Sequence, residues 1–149
     1  NPENLPMIEH QFALLGGRAQ LHPAAVYIRD GTISFAGDGV GGSVTEQGTA
    51  PNSHLIPCID FAAWLHSLAP QRLVWKLDVE GAERELLPAA LPWLPKETVC
   101  FLETHHPDAV CTALFQPYRD AGFTITEIRR RSAAPQPFDY VEWELIRRP

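Results

Sequence analysis

The apolar positions of the chain fall into short periodic segments separated by proline, glycine and polar clusters. Leu5, Ile8, Phe12 and Leu15 recur at three- and four-residue steps, the period of an amphipathic helix. Pro2 and Glu3 suit its first turn, and Gly16-Gly17 stops it. Residues 19–28 read as a buried strand with Pro23 at its centre, which implies an irregular or edge position. Asp30-Gly31 is a turn, and Thr32-Ile33-Ser34-Phe35 a short strand. Residues 36–53, rich in Gly, Ser, Thr and Asn, read as a long polar loop around Gly41-Gly42-Ser43. Leu55–Ile59 is extended, and Asp60 is placed to cap a helix carrying Phe61, Trp64, Leu65 and Leu68. A strand over 72–78 ends in an acid. Glu80-Gly81-Ala82-Glu83 then turns into a helix with Leu86, Leu87, Ala90 and Leu91, closed by Pro92 and Pro95. Residues 98–104 form the next strand. A helix with Val110, Leu114, Phe115 and Tyr118 on one face closes at Ala121-Gly122, and strands over 123–129 and 138–146 finish the chain.

This alternation predicts an α/β fold with right-handed crossovers, a mostly parallel sheet and helices on both faces. The last two strands are joined only by Ser132 to Pro137, too short for a crossover, so they are expected to pair antiparallel at the sheet edge.

With 149 residues, the chain is the size of one domain. Its 45% hydrophobic and 20% charged residues supply a core and argue against disorder. No apolar run approaches the ~20 residues of a membrane helix, and no signal peptide is visible. A net charge of −6 disfavours nucleic acid as the main partner. The one basic cluster, Arg129-Arg130-Arg131, reads as a solvated strand end. Cys58, Cys100 and Cys111 show no CxxC spacing, which argues against a disulfide framework or zinc cluster and suits a reducing cytoplasm. Cys100 and Cys111 read as packing residues.

Ligands of open α/β sheets bind beyond the carboxyl ends of strands. Two such ends carry chemistry here. Asp78, Glu80 and Glu83 crowd one strand-to-helix turn, and Glu103-Thr104-His105-His106 follows the next strand. If both face one crevice, a carboxylate and a histidine there can take a proton from a hydroxyl. The same groups can hold a divalent metal. Glu83 reads equally as the acid that a helix first turn favours, and His105-His106-Pro107 as a plain loop. An acid ending an apolar strand, Asp78, is costly without a partner or a task.

The string Lys76-Leu77-Asp78-Val79-Glu80-Gly81-Ala82-Glu83 resembles the K-x-D-V-E-G-x-E signature of FkbM-family methyltransferases. Other stretches are similar in order: Asn1-Pro2-Glu3-Asn4-Leu5; Leu21 to Val26 with Asp30-Gly31 and Phe35; Gly42-Ser43; Asp60 with Trp64-Leu65; and Leu102-Glu103-Thr104-His105. The resemblance implies a Rossmann-like class I methyltransferase sheet whose last strand runs antiparallel. It implies S-adenosylmethionine as cofactor and a small-molecule or sugar hydroxyl as methyl acceptor. On it, Asp78, Glu80 and His105 are catalytic, with His105 the general base or a substrate ligand. Glu83, Glu103 and Ser43 contact substrate, Asn1, Ala24, Ala25 and Asp78 lie at the cofactor, and no metal is assigned. The chain departs from the family at its start. The first strand, the D-x-G-A-x-x-G turn and the second strand with its ribose-binding acid have no counterpart, and Gly37-Asp38-Gly39 lies in the polar loop. The resemblance thus covers the C-terminal two-thirds of one domain, and leaves a gap between the strands at 19–28 and 72–78. The chain alone is then expected to bind S-adenosylmethionine poorly. Two other readings stand beside it: a methyltransferase-like binding or structural module without catalysis, and a metal-dependent enzyme using Asp78, Glu80, Glu103 and His105.

Overall fold

The computed structural model describes residues 4–36, 53–132 and 139–149, and the backbone of 43–45. The chain divides into two compact units, Asn1–Asp60 and Phe61–Pro149.

The first unit holds helix α1 (Leu5–Ala13) and strands β1 (Ala25–Tyr27), β2 (Gly31–Ala36), β3 (Ser43–Thr45) and β4 (Ser53–Asp60). Gly16 and Gly17 both take positive φ after α1, as the stop signal requires. The strand expected over 19–28 shrinks to β1. Pro23 lacks an N–H for a ladder, and regular pairing begins only beyond it. The polar loop contains a strand that alternation did not reveal: β3 pairs antiparallel with β2 at Phe35↔Val44. The rest of that loop, with Gly41-Gly42, lies outside the described residues, as does Asn1. The sheet order is β1-β4-β2-β3, with only β1–β4 parallel. The amide of Asp60 donates to Asp30 Oδ1 at 2.9 Å, tying the end of β4 to the β1–β2 turn.

The second unit runs α2 (Phe61–Leu68), β5 (Arg72–Leu77), α3 (Glu83–Ala90), a 3₁₀ turn (Leu91–Trp93), β6 (Glu97–Thr104), α4 (Asp108–Asp120), β7 (Thr124–Arg131) and β8 (Tyr140–Arg147). Its sheet order is β5-β6-β8-β7. β5 and β6 are parallel, while β8 runs antiparallel to both β6 and β7. β5, β6 and β7 therefore share one direction and β8 alone is reversed. Two expectations are corrected. β8 lies inside the sheet rather than at its edge, and over both sheets antiparallel pairings outnumber parallel ones. The cause is the same: a reversed strand inserted between two others makes two antiparallel ladders. β1 and β5 are each the outer strand of a separate sheet.

Alternation along the strands decides the faces. Leu77 of β5, Thr98, Cys100, Leu102 and Thr104 of β6, and Val141 and Leu145 of β8 are buried on one face. α2 reaches that face through Phe61, whose ring stacks on Trp75 at 5.3 Å, and α4 through Phe115, edge-on to Trp143 at 4.9 Å. α3 joins them, with Leu86, Leu87 and Ala90 fully buried. On the other face Val74 is 72% and Phe101 41% exposed, so among the described residues of this unit α2, α3 and α4 pack on one face of the sheet. α4 ends in a Schellman motif. Gly122 takes φ +87°, its N–H donates to Arg119 O at 2.9 Å, and Phe123 N–H reaches Tyr118 O at 3.0 Å. The Tyr118 and Phe123 rings meet edge-on at 5.1 Å, the apolar contact that accompanies this cap.

Candidate active site at the ends of β5 and β6

Because β5 and β6 are parallel neighbours in the register Leu77↔Leu102, the segments leaving them start side by side. That brings the two sequence clusters together. After β5 the chain turns through Glu80 at φ +49° and Gly81 at φ +106° before α3 begins. A left-handed conformation costs a non-glycine residue about 1 kcal/mol, and here it brings the Glu80 carboxylate to the histidine leaving β6.

His105 is the hub. Its side chain is only 8% exposed. Nδ1 lies 3.2 Å from Glu83 Oε1, and Nε2 lies 3.3 Å from Glu80 Oε2 and 3.7 Å from Glu103 Oε1. The Tyr140 ring stands edge-on to the imidazole at 5.1 Å. Glu83, at the first position of α3, is fully buried, and the Gly81 amide also donates to its Oε1 at 3.2 Å. Burial pushes the Glu83 carboxyl up, but the hydrogen bonds from His105 and Gly81 outweigh it and hold the group below its ordinary value. For His105, burial opposes the charged ring. The bond to Glu83 and the charges of Glu83, Glu80 and Asp78 overcome this and raise its pKa.

Around this pair, Lys76 Nζ holds Asp78 Oδ2 at 2.8 Å. Glu103 faces Glu142 across β6 and β8, and Arg131 spans both, at 2.9 and 3.0 Å to the two Glu103 oxygens and 3.4 Å to Glu142. Two like charges directly opposite on a ladder repel, and the guanidinium offsets this. His106 Nε2 sits 3.1 Å from Glu83 Oε2, yet neither buried atom has a hydrogen-bond partner among the described residues.

Asp78, Glu80, Glu83 and Glu103 are thus gathered around His105 in one cluster. Ala24, Ala25 and Ser43 belong to the other unit, Ala25 opening β1 and Ser43 opening β3. Two contributors escaped sequence reasoning. Arg131 was read as a solvated strand end and proves to be the counter-ion of Glu103. Arg130, from the same run, is tied to Asp108, Glu127 and Asp139. Tyr140 enters through the pairing of β8 with β6 and carries no local signal, whereas His106 belongs to the cluster that the sequence had already placed after β6. The arrangement is a carboxylate–imidazole pair, buried at one nitrogen and facing further carboxylates at the other. It is suited to holding or moving a proton. Among the described residues, no helix is long and apolar enough to cross a membrane. Comparison with protein-family models, curated proteins and solved structures finds no match to this chain.

Proposed function

We propose that this chain supplies the acceptor side of a methyltransferase that uses S-adenosylmethionine and methylates a hydroxyl on a small molecule or sugar. The observation that carries the reading is the buried Glu83–His105 pair, which sits where the FkbM-like string Lys76–Glu83 meets Glu103-Thr104-His105. Within the second unit, the reversed strand β8 supports this reading, since the resemblance implies a last strand that runs antiparallel. S-adenosylmethionine, when bound, supplies the methyl group. The described residues do not themselves fit that cofactor, since none forms a glycine-rich strand-to-helix turn. What they do concerns the hydroxyl alone. Glu83 accepts the Nδ1–H of His105 and so fixes the tautomer that presents the Nε2 lone pair to the crevice. There Nε2 receives the hydroxyl proton, and Glu80 and Glu83 stabilise the imidazolium that results. Asp78 and Glu103, each already paired with a cation, frame the acceptor.

The test uses the full open reading frame containing residues 1–149, labelled S-adenosylmethionine and a panel of sugars and hydroxylated small molecules. Methyl transfer to oxygen is expected, falling about 10²–10⁴-fold in His105→Gln, the usual worth of a positioned base. No transfer to any acceptor, or transfer unchanged in His105→Gln, overturns the reading.

A further inference from the structure

We infer that the crevice is also a divalent-cation site, with Asp78, Glu80 and Nε2 of His105 as ligands and Glu83 as the carboxylate that orients the imidazole. One ligand atom from each of Asp78, Glu80 and His105 lies within 4.8 Å of the other two, so small side-chain movements bring all three onto one ion. Metal-bound histidines almost always donate their second ring nitrogen to a carboxylate or carbonyl, and the Nδ1–Glu83 contact at 3.2 Å has that form.

Charge points the same way. Asp78, Glu80, Glu83 and Glu103 surround the two histidines, and among the described residues Lys76 and Arg131 are the cations paired with them. With both rings neutral, an excess of two negative charges remains, and Arg131 is shared further with Glu142. One divalent cation cancels that excess. Inside the cluster, Glu83 Oε2 faces His106 Nε2 at 3.1 Å, and neither buried atom has a hydrogen-bond partner among the described residues. Two carboxylates and one imidazole suit Mn²⁺ better than a soft-ligand metal such as Cu⁺. Asp78 and Glu80 stand toward solvent, so the ion keeps open positions there. The ion and the hydroxyl proton compete for Nε2, so a bound ion is expected to block the proton transfer proposed above. That consequence rests on the function proposed above; the metal site itself does not.

The probe is Mn²⁺ alone, titrated into EDTA-stripped, desalted protein, followed by calorimetry and electron paramagnetic resonance. One ion per chain is expected, with paramagnetic broadening of the His105 ring signals. Glu80→Gln and Asp78→Asn, both at exposed positions, are each expected to weaken binding about tenfold or more, and Glu83→Gln by about 10–100-fold through the imidazole. Glu85→Gln, exposed on α3 outside the cluster, leaves it unchanged. Absence of binding at about 1 mM Mn²⁺, where even the weakest natural cation sites fill, overturns the inference, and so does binding that Glu80→Gln does not affect. Methyl transfer insensitive to EDTA removes the ion from the reaction while leaving the function standing. Ion binding without methyl transfer does the reverse.

Discussion

At the scale of single residues, the Glu83–His105 pair couples folding to protons, and the two groups act on opposite limbs. The His105 pKa is raised above its ordinary 6.5, so its contribution is complete below about pH 6.5 and fades as pH climbs through the raised value. The Glu83 pKa is held below 4.5, so its contribution is complete above that point and fades as pH falls through the lowered value. In EDTA the protein is therefore expected to be most stable between pH 4.5 and 6.5. Urea midpoints measured against pH check this. His105→Gln flattens the fall above pH 6.5, and a fall that survives the substitution assigns it to another group. The sequence named both residues as candidates but could not pair them. Glu83 alone looks like the acid of any helix first turn, and only burial distinguishes it.

At the scale of elements, α3 and α4 are locked by one hydroxyl. Tyr118, buried on α4, donates to Leu87 O of α3 at 2.8 Å. That carbonyl also accepts the Leu91 N–H at the end of α3, so removing the hydroxyl does not orphan it. Tyr118→Phe is accordingly expected to cost only about 1 kcal/mol, the net worth of one hydrogen bond. It lowers the urea midpoint at unchanged slope. A loss of several kcal/mol would show that the ring itself had moved. Helix periods at 5–15, 61–68, 83–91 and 108–121 were readable because each places its apolar residues on one side over at least two turns. Strand extents were less readable. Pro23 trimmed β1 to three residues, while β3 hid in a glycine- and serine-rich stretch because its only signal is pairing with β2.

At the scale of the whole molecule, the two compact units divide at Asp60-Phe61, and Phe61–Pro149 contains its own sheet, helices and site. Residues 61–149 produced alone are expected to fold cooperatively. Cys100 reports on this, because its thiol is fully buried on β6 and burial pushes it up to about 12. In both the full chain and the shorter piece it should resist a thiol reagent at pH 8 until denaturant is added. Rapid labelling in the piece alone would show that its core depends on the first unit.

Periodicity, punctuation and the chemistry of strand ends belong to the sequence. They were enough for the α/β class, for most elements, and for the two clusters as neighbours, because the parallel neighbours β5 and β6 carry their following segments to the same end. Strand order and direction were settled only in three dimensions. The insertion of β8 between β6 and β7 depends on which apolar faces match, and it brings Tyr140 and Glu142 to the crevice. The states of Glu83, Glu103 and Arg131 were settled there too, since desolvation and ion pairing depend on distances between residues far apart in the chain.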